Sequence, residues 1–379
     1  MIQKVLRGRG SLRRLPELME KTGIRAPLIV GGRLAERVSR IPGLEGAPVF
    51  SGYHPNPDLK DAEAGARLYR EQACDGMISV GGGSAIDTAK AIKAYLCADP
   101  EEVRANRLPA ASEIPHLAIP GTAGSGAEAT ANAVVYENGV KLSLGGEILL
   151  PEGVVLDATL LETLPPYHRK SCAMDALAQG IESYWSVSAT EDSRVHAYLA
   201  ILGVLDNLKA YLAGDAHAAE EMLDAAYQSG KAIRLTRTTA AHAMSYQLTQ
   251  RMGIAHGHAC MLTLPVLWDL MLEKGSEENL AVMTELAGRM RLGHPMMGSR
   301  LLRGIMYDLG LEIPAMPDPA TLDALVRAVN PDRLGNHPMK LDAEDLRAVY
   351  FRAFLPAEGN VRQACLDIWK YYGGQANGK

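Results

Sequence analysis

The spacing of apolar and polar positions changes character partway along the chain. Over residues 11–22, Leu12, Leu15 and Leu18 share one side of a helical pattern that Gly23 would stop. Short apolar runs then alternate with helical stretches. Ala26-Pro27-Leu28-Ile29-Val30 reads as a buried strand ending at Gly31-Gly32, a helical pattern follows from Leu34, and Ala47-Pro48-Val49-Phe50 reads as a second short strand. Residues 58–73 predict a charged amphipathic helix, Gly76 to Val80 a third strand, and His116 to Pro120 a fourth. Strands alternating with helices predict βαβ units and a parallel sheet. Beyond Pro151 to Asp157 the pattern is helical throughout, with long patterns at about 168–186, 191–213, 218–250 and 257–273 and more to the C-terminus. Pro165-Pro166 marks the boundary. The expectation is an α/β domain with a parallel sheet over residues 1–164 and an all-helical domain over residues 165–379.

Composition narrows the function classes. A chain of 379 residues suggests two domains, and 47% hydrophobic with 22% charged residues is globular. A net charge of −5 argues against a nucleic-acid partner, which would want a basic face. No apolar run approaches the roughly 18 residues that span a bilayer; Ala259 to Trp268 is interrupted by Pro265 and ends at Asp269. The N-terminus lacks an apolar core of signal-peptide length. The five cysteines, at 74, 97, 172, 260 and 365, show no Cys-x-x-Cys spacing and read as reduced, mostly buried thiols of a cytoplasmic protein.

Two stretches carry candidate chemistry. The third strand runs into Gly81-Gly82-Gly83-Ser84 and then a helix beginning Ala85-Ile86-Asp87. Strand, glycine turn and helix offer backbone N–H groups and a helix N-terminus to an anion such as a phosphate; a tight turn using glycine for positive φ is the plainer alternative. The fourth strand leads into a second such loop, Gly121 to Glu128, so Thr122, Ala123 and Ser125 could close over the same dinucleotide, outside the strands' carboxyl ends. Further on, Asp175 and Gln179 share a helix face. With His242 and His256 from later helices, Asp175 could form a carboxylate and two-imidazole metal site, or it could be a buried carboxylate satisfied by backbone.

These motifs resemble, in order and over nearly the whole chain, the iron-containing (group III) alcohol dehydrogenases: Phe50 to Pro57, Gly81 to Ser84 with Asp87, Pro120 to Glu128, Asp175 to Tyr184, and Ala255-His256-Gly257. The resemblance implies a dinucleotide domain followed by a helical metal domain, an NAD(P)-dependent interconversion of alcohol and aldehyde, and Fe²⁺ or Zn²⁺. It implies metal ligands at Asp175, Gln179, His242 and His256, although histidine is usual where Gln179 stands and an amide is a poorer ligand. Tyr246 is a second departure, standing where many relatives carry a histidine. Gln179 to Ser186, Gly230 to Ile233, Thr238 to Tyr246 and His256 to Ala259 look like phosphonoacetaldehyde reductases, members that reduce phosphonoacetaldehyde to 2-hydroxyethylphosphonate.

The resemblance places the pyrophosphate on Gly82, Gly83 and Ser84, with Gly81, Asp87, Thr122, Ala123 and Ser125 around it. Gly32 stands where NAD-preferring relatives often carry Asp, and Arg33 could pair with a 2′-phosphate, so NADPH is expected to serve at least as well as NADH. Tyr246, His258 or a metal-linked water could deliver the proton. A small anionic aldehyde would need a cation; Arg237, with Thr238 beside it, is the candidate, or else a solvated helix residue. A homodimer is expected, as is common among relatives. Three other readings stay open: a dehydrogenase of an uncharged aldehyde, a lyase or cyclase like dehydroquinate synthase, and a nucleotide-binding protein that lost its metal through Gln179.

Overall fold

The computed structural model describes residues 2–376. Two compact units emerge: one runs to Pro165 and includes Asp215–Arg234, and the other comprises Pro166–Gly214 and the chain from Leu235.

The first unit contains β1 (Lys4–Arg7), α1 (Leu15–Thr22), β2 (Pro27–Gly31), α2 (Ala35–Ser39), β3 (Val49–Phe50), α3 (Leu59–Glu71), β4 (Gly76–Gly81), α4 (Gly83–Cys97), α5 (Pro100–Arg104), β5 (His116–Pro120), β6 (Asn132–Glu137), β7 (Val140–Gly145) and β8 (Gly153–Leu156). Six strands pair in parallel in the order β1-β8-β5-β4-β2-β3, and β6 and β7 form a separate antiparallel ribbon. Both faces of the large sheet are covered, as parallel sheets require. Leu28, Val30 and Met77 pack with α3 and α4 on one side, while Ile29, Ile78, Val80, Leu117 and Ile119 pack with α1 on the other. The expected strands are present. The sequence reading did not assign β1, β8 or the ribbon.

The second unit is helical among its described residues: α6 (Pro166–Trp185), α7 (Glu191–Leu212), then after α8 (Ala216–Thr236) come α9 (Ala240–Met252), α10 (His256–Lys274), α11 (Glu277–Arg289), α12 (Met296–Asp308), α13 (Pro319–Arg327), α14 (Pro331–Leu334), α15 (Ala343–Ala353) and α16 (Gly359–Ala376). The apolar α10 is central and packs on α6, α9 and α12. No helix among the described residues is long and apolar enough to cross a membrane.

One expected element is corrected. The single helix at 218–250 is two, because Arg237 takes a left-handed φ of 62° and the chain restarts at Ala240. The cause is tertiary. Glu182 on α6 accepts the backbone N–H groups of Thr239 and Ala241, at 3.1 and 2.9 Å, and so satisfies a helix start that has no local side-chain cap. Most of α8 belongs with the first unit, where Tyr227 donates to Gln3 at 3.0 Å and Arg234 pairs with Glu147 at 2.7 Å.

Candidate active site

In the first unit, β4 and β5 end side by side, with Gly81 in register with Pro120, and the Gly121 N–H donates to the Gly81 carbonyl at 2.7 Å. Gly81 has a φ of 146°, open to glycine and strained for other residues. A side chain at Gly82 would come within 3.3 Å of Thr122, and one at Gly83 within 3.1 Å of Ser125. The two glycine-rich loops are therefore in contact, and absence of Cβ atoms permits it. The N-terminus of α4 carries no side-chain cap, so it presents N–H groups suited to a pyrophosphate. Ser84 Oγ donates to the Pro55 carbonyl. Asp87 faces inward, accepting the Val134 N–H at 3.0 Å and lying 3.9 Å from the buried Lys90 ammonium. Arg33 and Gly32 are exposed beyond β2, with the Tyr53 hydroxyl near Gly32.

In the second unit, three helices bring donors to one point. Asp175 and Gln179 come from α6, His242 from α9 and His256 from α10, and Asp175, Gln179 and His242 are buried. His242 Nε2 lies 3.2 Å and His256 Nε2 3.8 Å from Asp175 Oδ1. Each imidazole is fixed through its other nitrogen. His242 Nδ1 meets the Glu182 carboxylate, an obligate acceptor when ionised, so Nδ1 carries the proton there. His256 Nδ1 lies 3.2 Å from Ser245 Oγ, whose own proton goes to the His242 carbonyl at 2.8 Å, leaving the hydroxyl to accept. Both Nε2 atoms thus face Asp175, and each would offer its lone pair to an ion there once its proton has left, the arrangement by which an outer carboxylate or hydroxyl orients a metal-binding histidine.

The electrostatics match. Burial alone would raise Asp175, but His256, His242 and a hydrogen bond from Gln179 outweigh it and hold the carboxyl below its usual range. Burial would likewise raise Glu182, and His242 and Thr239 more than reverse it. Both stay ionised beside His242; burial would lower the imidazole, but the Cys260 sulfur, Glu182 and Asp175 outweigh it and hold it well above its ordinary value, so without an ion His242 itself carries the positive charge. Two carboxylates facing one imidazolium make a charge-balanced buried cluster in which a divalent ion could replace the imidazole's proton. Cys260, one turn beyond His256, is fully buried, and its sulfur joins Asp175, His242 and His256 in a group whose ligand atoms all lie within 4.8 Å of one another.

The other sequence candidates are distributed around this cluster. Tyr246 stacks on His256, ring centres 5.5 Å apart and planes 13° from parallel, and its hydroxyl accepts from Arg333 at 2.6 Å. His258 points elsewhere: its Nδ1 is 3.1 Å from the Tyr167 hydroxyl, and its backbone N–H donates to Ser171. Arg237 is exposed, and the Thr238 carbonyl accepts from Asn336 at 3.0 Å. Sequence reasoning missed Glu182, Cys260, Ser245 and Arg333. Glu182 had a signal, lying seven residues after Asp175 on the same face, and so did Cys260, four after His256. Arg333 had none.

Comparison with known proteins identifies the family and the fold. The iron-containing alcohol dehydrogenase family matches residues 3–158, and its Fe-containing C-terminal part matches residues 170–300. A phosphonoacetaldehyde reductase of Streptomyces viridochromogenes is 36% identical over 271 residues, 67% of each chain. An NADPH-dependent butanol dehydrogenase of Clostridium saccharobutylicum is 30% identical over 277 residues, covering 68% of this chain and 70% of that one. The structure of a sulfoacetaldehyde reductase from Bifidobacterium kashiwanohense in complex with NAD⁺ superimposes with a TM-score of 0.85 at 26% identity, covering 93% of this chain and 97% of that one. With its glycine-loop sheet, its helical unit and its buried carboxylate–imidazole cluster, the chain belongs to the iron-containing alcohol dehydrogenase family and is an NAD(P)- and metal-dependent alcohol dehydrogenase or aldehyde reductase.

Proposed function

We propose that the chain reduces a small anionic aldehyde, phosphonoacetaldehyde, to 2-hydroxyethylphosphonate with NADPH. The observation that carries the reductase chemistry is the convergence of Asp175, His242 and His256 Nε2 on one buried point. A divalent ion held there supplies a Lewis acid for the carbonyl oxygen. The protein's own residues do the rest. Glu182 and Ser245 hold the two imidazoles in the ligating tautomer. Gly82, Gly83 and Ser84 at the start of α4 take the pyrophosphate, with Thr122 and Ser125 beside them. NADPH held there would supply the hydride for the carbonyl carbon, and the protein must deliver one proton to the oxygen. Burial raises the Tyr246 phenol, so at neutral pH it keeps a proton to give, from a ring stacked on His256.

The anionic substrate draws support from the 36% identity to a phosphonoacetaldehyde reductase. Two cations serve the reading: Arg237, exposed just ahead of α9, and Arg333, whose guanidinium carbon lies 5.0 Å from the Tyr246 ring centre. The test is NADPH oxidation by metal-loaded protein with phosphonoacetaldehyde beside acetaldehyde. The expected preference is for the phosphonate, and removing a phosphonate contact at Arg237 or Arg333 should cut that kcat/KM by ~10-fold or more while sparing acetaldehyde. Turnover of acetaldehyde alone would discard the phosphonate and favour an uncharged substrate, as the likeness to a butanol dehydrogenase suggests. We also propose that Arg33 pairs with the 2′-phosphate of NADPH; a kcat/KM for NADH far above that for NADPH would refute it. A homodimer belongs to the same proposal and is testable by sedimentation.

A further inference from the structure

The usual family donor set is one imidazole short in this chain, because Gln179 stands at a histidine position. The amide of Gln179 hydrogen-bonds the Asp175 carboxylate. A carboxylate can only accept, so the NH₂ end of the amide is turned toward Asp175. On the facing helix, Cys260 follows His256 by one turn and shares its side of α10. Its sulfur is fully buried and lies 4.0 Å from His256 Nε2. An ion bound tetrahedrally at about 2.0–2.3 Å to oxygen, nitrogen and sulfur sets its donors roughly 3.3–3.8 Å apart. The separations here, 3.2 Å from His242 to Asp175, 3.8 Å from His256 to Asp175 and 4.0 Å from His256 to Cys260, are close to that spacing.

We propose that Cys260 is a thiolate ligand of the catalytic metal, that Gln179 orients Asp175 rather than completing the shell, and that the resulting Asp-His-His-Cys set selects Zn²⁺ over Fe²⁺. This rests on reading Asp175, His242 and His256 as metal ligands. On binding, the thiol gives its proton to solvent and its sulfur lone pair to the ion; no redox change is involved. A soft thiolate favours zinc over ferrous iron relative to the harder imidazole or amide it stands in for. With four protein donors, a substrate oxygen would have to be a fifth ligand, an expansion of the shell that zinc tolerates.

The test is spectroscopic. Metal-free protein is loaded with Co²⁺ and its absorption recorded for the unmodified chain, Gln179→Ala and Cys260→Ser. The expected result is a sulfur-to-cobalt charge-transfer band in the near ultraviolet that survives Gln179→Ala and disappears in Cys260→Ser. Competition between Zn²⁺ and Fe²⁺ under anaerobic dialysis should show zinc preferred, with that preference falling ~10-fold or more in Cys260→Ser. Zinc-edge X-ray absorption on the unmodified protein needs no variant and should report one sulfur neighbour at about 2.3 Å. Bound Co²⁺ or Zn²⁺ without a sulfur signature would overturn the thiolate assignment and leave the three-donor site standing. A sulfur band that persists in Cys260→Ser would overturn it in favour of another cysteine. Failure of the unmodified protein to bind either ion would overturn the metal reading itself.

Discussion

At the residue scale, a few buried carboxylates organise the chemistry. Glu182 does two things: it caps α9 through backbone N–H groups and fixes the His242 tautomer. Glu182→Gln keeps an acceptor for the backbone but turns an NH₂ toward His242 Nδ1. Metal affinity should fall ~10–100-fold, and equilibrium dialysis that shows unchanged affinity would remove Glu182 from the machinery. Glu128 provides a different test. It is buried, and burial pushes its carboxyl from 4.5 up to about 7 despite the nearby Lys90. A carboxyl whose folded value is raised binds an extra proton in the folded state between those values. Its stability contribution is complete below 4.5 and lost as pH rises through 7. The loss is about 3 kcal/mol at ~1.4 kcal/mol per unit. Urea unfolding of the native chain should therefore weaken from pH 5 to 7.5, and Glu128→Gln should flatten that decline; identical pH profiles would refute the assignment.

At the element scale, the site depends on how closely two helices approach. A Cβ at Gly257 would sit 2.0 Å from the Ser171 carbonyl oxygen and 2.6 Å from the Asp175 nitrogen. Glycine therefore lets α10 start against α6, so that His256 and Asp175 reach one ion. Gly257→Ala must push the helices apart, and about 1–3 kcal/mol of stability should go, with metal affinity falling alongside. Gly288→Ala is the control: nothing lies within 4 Å of its Cβ inside α11, so it should be neutral or gain up to ~1 kcal/mol. Thermal melts and metal titrations of both variants decide it; equal behaviour would mean the close approach has no role. The broken 218–250 helix belongs at this scale too. Its residues carry a continuous helical pattern, and partners distant in sequence support the break at Arg237: Glu182 accepts N–H groups at the start of α9, and Asn336 donates to the Thr236 and Thr238 carbonyls.

At the scale of the whole molecule, ligands that bind only the folded chain should stabilise it by mass action. Metal at ~100 times its Kd should add about 2.7 kcal/mol to the unfolding free energy, and NADPH should add its own increment. Calorimetry of metal-free, metal-loaded and NADPH-loaded protein tests this. No shift on adding metal would contradict a preformed site at Asp175, His242 and His256. Chelation should abolish NADPH oxidation and restored metal should return it.

The alternation that builds the parallel sheet, the glycine loops after β4 and β5 and the helical second half were legible along the chain, while Asp175, His242 and His256 stood out as a set through the family resemblance. Those features are written in local periodicity or in short motifs, where residue type and spacing fix backbone conformation. The remaining features depend on long-range packing. β1 and β8 are four-residue strands, too short for a period to declare itself, and they exist because each pairs with the other. Asp215–Arg234 joins the first unit through ion pairs and hydrogen bonds to residues over 200 positions away in some cases. Glu182 and Arg333 act on α9 residues distant in sequence, and Cys260 looks like another core thiol until folding sets it beside His256. Long-range packing, and the need to satisfy buried charge, made those choices; neither leaves a mark in a run of neighbouring residues.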